Sequence, residues 1–140
     1  MTPDRTRSLI GLRVSIPDGF TCTYSDSRYS VWKYTAKDRQ AGSLILDAEI
    51  VDENTNRYNT VEDVLAVCDW MTDMEVYVNP HGVRMLRGFT QYSGSPERRY
   101  YIEHNGNVML MCMIEDPRYV RPDDCEALLQ QTADGMTPLR

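Results

Sequence analysis

The stretch YYIEHNGNVMLMCMI, residues 100–114, decides the predicted fold because it contains a hairpin whose register follows from its turn. Asn105-Gly106 is a dipeptide favoured in two-residue type I′ turns, since both central positions need positive φ. That turn predicts the following cross-strand pairs: His104 with Asn107, Ile102 with Met109, and Tyr100 with Met111.

The second strand of this hairpin is apolar on both of its faces. Successive side chains of a strand point to opposite sides. One face therefore carries Tyr100, Ile102, Met109, Met111 and Met113, and the other carries Tyr101, Val108, Leu110, Cys112 and Ile114. A strand that is apolar on both sides belongs inside a sheet that is covered on both sides. We therefore expect strand 107–114 to be central, with residues 99–104 paired to it.

Strand and helix patterns extend outward from the hairpin. Two signals predict strands: alternation of apolar and polar residues, and enrichment in β-branched and aromatic residues. The predicted strands lie at 12–16, 29–36, 43–51, 75–78 and 83–92. A helix is predicted at 60–72, where Thr60 and Asp63 form an approximate capping box. Its apolar stripe consists of Val61, Val64, Leu65, Cys68 and Met71. A second helix is predicted at 122–134, with Cys125, Leu128, Leu129 and Thr132 on its buried stripe.

Together these patterns predict an α+β domain in which an antiparallel sheet carries two main helices. The expected order is βββ-α-ββββ-α, arranged as an α/β/α or a two-layer sandwich. We expect one domain at 9–136, a disordered N-terminal tail at 1–8 and a C-terminal tail at 137–140. The length of 140 residues is that of one ordinary domain.

Two segments and the order of elements resemble the PsbP-like fold. VSIPDGF, 14–20, stands where that family opens with a strand and Pro-x-Gly-aromatic, and NTVEDVLAVCDW, 59–70, stands at its first helix. Photosystem II extrinsic subunits share this fold with a yeast Ran-binding protein and small bacterial proteins of unassigned function. The resemblance implies a binding role rather than catalysis. One version of that role is a secretion chaperone, since some bacterial PsbP-like proteins hold apolar effector segments.

Composition excludes several classes of function. The net charge of −6 repels phosphate backbones and disfavours nucleic-acid binding. No apolar run is long enough to span a membrane, and MTPDRTRS, 1–8, does not read as a signal peptide. We therefore expect a cytoplasmic protein, with export after removal of a leader as the alternative. Monomer and homodimer both remain open.

The cysteines are widely spaced, so neither a metal knuckle nor a C-x-x-C redox motif is predicted. They are Cys22, Cys68, Cys112 and Cys125. Buried free thiols are the favoured interpretation, because three of the four fall on predicted apolar positions.

The sulfurs of the central strand allow three interpretations. Thioethers at Met109, Met111 and Met113 are possible copper(I) ligands, and flexible methionines also fill protein cores. In the third interpretation, Tyr100, Met109 and Met111 line a surface for a protein or peptide partner. One helix hides a strip roughly 10 Å wide, whereas a sheet of several strands about 4.8 Å apart is broader.

Other chemistry has weaker support in the sequence. Asp52, Asn54, Asn56 and Asp63 match oxygen-ligand positions of a calcium loop, although Arg57 replaces the turn glycine. Asp47 and Glu49 share a strand face, and a small hydrolase could use these carboxylates or a histidine, His81 or His104, in a cleft. Without a complete catalytic constellation we expect no enzyme, no cofactor and no bound metal. The favoured hypothesis is a non-catalytic binding or accessory domain, with the hydrolase and a calcium or copper protein as alternatives.

Overall fold

The computed structural model describes residues 6–34, 43–90, 97–114 and 125–139 of the chain. The strands are β1 Thr6–Leu9, β2 Leu12–Ser15, β3 Phe20–Ser25, β4 Tyr29–Tyr34, β5 Ser43–Asp47, β6 Met71–Val78, β7 Arg84–Thr90, β8 Arg98–His104, β9 Asn107–Ile114 and β10 Thr137–Pro138. The helices are α1 Val61–Val67 and α2 Cys125–Asp134. The α+β class is confirmed. Predicted strand residues 35–36 and 91–92 and helix residues 122–124 lie outside the described ranges.

The predicted hairpin and its central position are confirmed. Strand β9 is fourth in the seven-stranded order β3-β4-β5-β9-β8-β7-β6, and its neighbours are antiparallel to it. Asn105 and Gly106 have φ of 50° and 72°, as a type I′ turn requires. All three expected cross-strand pairs are present in the β8–β9 register.

Two apolar clusters lie on opposite faces of this sheet. On one face, Val61 and Val64 of α1 pack against Leu86, Tyr101 and Val108. On the other face, α2 and a small three-stranded sheet of order β1-β2-β10 cover the larger cluster. That cluster contains the alternate residues of the hairpin: Tyr100, Ile102, Met109, Met111 and Met113.

Helix α1 is shorter than predicted. The capping box is confirmed, since Thr60 Oγ1 accepts from the Asp63 amide at 3.2 Å and Asp63 Oδ2 accepts from the Thr60 amide at 3.1 Å. The helix ends at Val67, and Met71 opens β6 opposite Thr90. Met71 is buried in the α1-side cluster from this strand position. Met71 lies seven positions after the buried Val64, so it fits the helical spacing without belonging to the helix.

Residues 6–8 and 137–138, which are part of the predicted tails, lie in strands β1 and β10. Strand β2 pairs with β1 on one side and β10 on the other. The β1–β2 turn is Ile10-Gly11, with φ of 49° and 81°. Positive φ is unfavourable for a β-branched residue, so this turn lacks the sequence signal that Asn105-Gly106 provides.

One buried amide joins α2 to the β6–β7 turn. Asn79 Nδ2 donates to the carbonyls of Ala133 and Met136 at 2.9 Å each. Asn79 Oδ1 accepts from the amides of His81 and Val83, also at 2.9 Å. The side chain thereby uses its donors and acceptor to close both the helix end and the turn.

Candidate functional site

The three residues predicted to line a partner surface are core residues. Tyr100 is 1% exposed, and Met109 and Met111 are 0% exposed. The prediction failed because residues from both ends of the domain cover this face in addition to α2. Leu9, Leu12, Val14 and Met136 are among the covering side chains. A candidate surface must therefore lie elsewhere.

Burial also explains the sulfur-rich sequence. Met113 is 2% exposed, and the Cys125 thiol donates to its sulfur at 3.1 Å. The methionine thioethers thus pack inside the larger cluster. All four cysteines are thiols rather than members of disulfides; Cys112 and Cys125 are buried, whereas Cys22 is exposed. Burial raises the pKa of the Cys112 thiol to about 11.

A polar network at the α2–sheet boundary is internally satisfied. Gln130 Oε1 accepts from Arg87 and from the Tyr100 hydroxyl, at 2.7 Å each. Gln130 Nε2 donates to Asp134 at 3.0 Å, and the Tyr77 hydroxyl donates to the same carboxylate oxygen. The hydrogen bond to Asp134 raises the pKa of the Tyr77 hydroxyl. Because its members bind one another, the network fastens α2 to the sheet.

Asp47 and Glu49 line an open depression on the α1 side of the sheet, together with Tyr24, Asp26 and Tyr29. Asp47 Oδ1 accepts from the Glu49 amide at 2.8 Å, and the Tyr24 hydroxyl donates to Asp26 at 2.9 Å. That bond raises the pKa of Tyr24. No histidine is among the described lining residues.

The histidines lie at other places in the fold. His81 is in the β6–β7 turn, and His104 ends β8 beside the hairpin turn. The structure brings Asp47 and Glu49 together but does not join either histidine to their depression.

A second depression, here called the α1 cleft, lies beside the carboxyl end of α1. It has a volume of about 390 Å³. Its lining is acidic, aromatic and apolar: Asp52, Glu53, Asn54, Tyr58, Val67, Asp69 and Trp70. Sequence reasoning missed this combination because its residues come from a loop and from the end of a helix, without any motif spacing.

Local hydrogen bonds shape the acidic wall of the α1 cleft. Asp52 Oδ1 accepts from the amides of Asn54 and Asn56, at 2.8 and 2.9 Å. This turn is closed by a bridge between Val51 and Arg57. Asp52 therefore bends the loop with one oxygen, in the manner of an Asx turn.

The predicted calcium ligands have different local roles. Asp63 Oδ2 accepts from the amides of Asn59 and Thr60, at 3.0 and 3.1 Å, and so caps α1. Asp52 shapes the preceding turn. Within the described ranges, no group of three or more His, Cys, Asp or Glu side chains is arranged to hold a metal ion.

Trp70 anchors the aromatic wall of the α1 cleft to the sheet. Its Nε1 donates to the Tyr101 hydroxyl at 2.9 Å, and the two rings meet edge to face at 6.4 Å. Burial raises the pKa of Tyr101, and it also raises the pKa of Tyr58, with the Asp52 carboxylate adding to the effect. The cleft thus combines a braced indole with carboxylates.

The electrostatics of the α1 cleft favour a cation. Asp52, Glu53 and Asp69 form no ion pair with any described residue. By contrast, Glu62 and Glu103 on the same side of the sheet both bind Arg84. The cleft therefore presents unpaired negative charge beside the two aromatic rings.

No protein-family model matches the chain, and no curated protein matches it significantly. Among the described helices, none has the length and apolar character needed to cross a membrane.

Proposed function

We propose that this protein is a non-catalytic binding domain that recognises a basic segment of a protein or peptide partner in the α1 cleft. The observation that carries the proposal is one cleft of about 390 Å³ that is lined by two aromatic rings and by three carboxylates that pair with no described cation. Such a lining suits the ammonium or guanidinium group of a lysine or arginine side chain.

The walls also suit the apolar stem of such a side chain. Val67 is 53% exposed, and Tyr58 and Trp70 are half-buried. Lysine and arginine pack their methylene stems against apolar surface while their charged groups stay at a polar rim. The same cleft offers no comparable fit for an anion, because the charged side chains in its described lining are all acidic.

The PsbP-like resemblance supports a binding role in a more general way. Members of that fold mostly serve as protein-binding adaptors, and an antiparallel sheet with helices packed against it provides a rigid support for a surface cleft. The secretion-chaperone version remains one form of the proposal, with a basic effector segment as the cargo.

The test uses a defined probe, a short peptide of alternating lysine and valine, with a glutamate–valine peptide as its counterpart. Two-dimensional ¹⁵N–¹H NMR provides an internal comparison of the two indole N–H signals. Trp70 lies in the α1 cleft, whereas the buried Trp32 donates to Ser30 at 3.0 Å. We expect the lysine peptide to shift the Trp70 signal, to leave Trp32 unchanged, and to bind more weakly as salt is added.

Charge reversal provides the matched comparison. Glu53→Lys and Asp69→Lys alter the cleft, and Glu126→Lys makes the same change in net charge at an exposed position of α2, on the opposite side of the sheet. Each cleft variant is expected to bind the lysine peptide with about fivefold lower affinity, while Glu126→Lys has little effect on this affinity. Equal affinities for all three variants, or equal binding of the acidic peptide, would contradict the proposal.

A further inference from the structure

Strand β6 forms one edge of the seven-stranded sheet, and its outer side differs between its two halves. This strand ends the seven-stranded sheet, and no described strand pairs with its outer side. Its first half carries a bulge, where the register with β7 shifts between Thr72 and Glu75 and Asp73 has φ of 53°. Bulges protect edge strands from pairing with other chains. The second half, from Glu75 to Val78, pairs regularly with β7 and lacks this protection.

The backbone direction of this second half follows from the β6–β7 turn. The Asn79 amide donates to the Val83 carbonyl at 2.9 Å, so the polar backbone groups of Asn79 face β7. Successive residues of an antiparallel strand direct these groups to opposite sides. The backbone N–H and C=O groups of Glu75 and Tyr77 therefore face β7. Those of Val76 and Val78 point outward from the sheet.

The same two valines expose apolar side chains. Val76 is 48% exposed and Val78 is 53% exposed. Both lie on the α1 side of the sheet, because Val76 stands opposite Leu86 of the α1-side cluster. At these two positions the edge thus offers exposed apolar side chains and backbone groups that no described strand pairs with.

We infer that a second copy of this chain pairs with β6 in antiparallel fashion, about a two-fold axis at Tyr77. In this register Val76 stands opposite Val78 of the second copy, and Val78 opposite Val76. Both members of each pair direct their backbone groups toward the other strand, so the alternation of an antiparallel ladder is satisfied. The two seven-stranded sheets then form one continuous sheet.

The occupant is a second copy because this segment is complementary to itself. Rotation about Tyr77 brings exposed valine against exposed valine on one face and places Glu75 opposite Asn79, so no like charges stand directly opposed. Near the axis, the Arg87 guanidinium lies 4.0 Å from the centre of the Tyr77 ring, and its Nε binds Glu75 at 2.6 Å. The charge beside the axis is therefore balanced within each copy.

The net charge gives this association a distinctive salt dependence. Each copy carries −6, so the two copies repel at long range. Added salt screens this repulsion, and we expect self-association to strengthen with salt. Binding of a lysine peptide in the α1 cleft should weaken with salt, so failure of either inference is distinguishable from failure of the other.

The test is sedimentation velocity over about a hundredfold range of protein concentration. We expect the average mass to rise with concentration from 16.2 kDa toward twice that value. Val76→Lys places lysines beside the axis and should weaken self-association at least tenfold. Val51→Lys is the matched control, because Val51 is 44% exposed and lies outside β6.

Hydrogen exchange identifies the register. Amide protection at Val76 and Val78 should increase with protein concentration, and the Val76→Lys variant should lose that increase. A chain that stays monomeric at every concentration and salt level overturns the inference. So does a dimer that forms without added protection at these two amides, or one that Val76→Lys and Val51→Lys affect equally.

Discussion

Replacement of Asn79 by alanine should be among the most destabilising single changes available in this domain. The side chain is 4% exposed, and its loss removes one hydrogen bond from each of four backbone groups. The Ala133 carbonyl keeps the Met136 amide at 3.3 Å, and His81 is exposed and can bind water. The Val83 amide and the Met136 carbonyl, on two buried residues, are left without another partner among the described residues. An unsatisfied buried group costs about 1–3 kcal/mol. For two such groups we therefore expect a loss of about 2–6 kcal/mol, toward the lower value if a water occupies the vacated space.

Such a loss is a large share of the roughly 5–15 kcal/mol that stabilises ordinary domains. Urea unfolding followed by circular dichroism measures it as a lower midpoint with an unchanged slope. Asn59→Ala is the control. The side-chain Nδ2 of Asn59 also donates to a backbone carbonyl, that of Gly106, at 2.9 Å, but it is exposed to solvent. The control should lose less than about 1 kcal/mol.

An aspartate substitution separates the donors from the acceptor. Asn79→Asp keeps an oxygen for the amides of His81 and Val83 but turns a carboxylate toward the carbonyls of Ala133 and Met136. The folded state then favours the protonated carboxyl, so this variant should lose stability as pH rises from acid to neutral. A loss in Asn79→Ala no greater than in Asn59→Ala would refute the structural role of this side chain.

The remaining predictions concern the bulge of β6 and a buried thiol. Gly88→Ala should cost about 1–3 kcal/mol in urea unfolding, because the added methyl would lie 2.9 Å from the Thr72 carbonyl; an unchanged midpoint would contradict the close approach. Burial raises the pKa of Cys112 from 9.0 to about 11. The folded state therefore holds this proton more tightly, and stability should fall by about 2–3 kcal/mol as pH rises from 9 to 11. Cys112→Ala should remove that part of the pH dependence. An identical pH profile in the variant would contradict the raised pKa of Cys112.

Local sequence signals account for the parts of the fold that were predicted correctly. The turn at Asn105-Gly106 and the alternation of 107–114 sufficed for the hairpin register, because both depend on residues close together in the chain. The Thr60–Asp63 capping box is local in the same sense. By contrast, Ile10-Gly11 adopts the same kind of turn without a favourable first residue. A Cβ at Gly11 would lie 2.6 Å from the Asn105 side chain, which shows that the two turns pack closely together.

The candidate site was less predictable than the hairpin. Asp47 and Glu49 were recognised as carboxylates on one strand face, and they do line one depression. The α1 cleft was missed, because Asp52 and Asp69 come from separate segments and Trp70 is held by Tyr101 of β8. No spacing along the chain encodes a contact between residues 70 and 101.

The sequence by itself determined the hairpin, its two apolar faces and the α+β class, since turn geometry and side-chain alternation act over a few residues. Only the tertiary structure decided what covers each face. Leu9 and Met136, from opposite ends of the domain, help to bury Met109 and Met111 and convert an expected surface into core. Burial depends on segments distant in sequence that meet on folding, whereas a residue's own neighbours reveal only that it is apolar and which way it points.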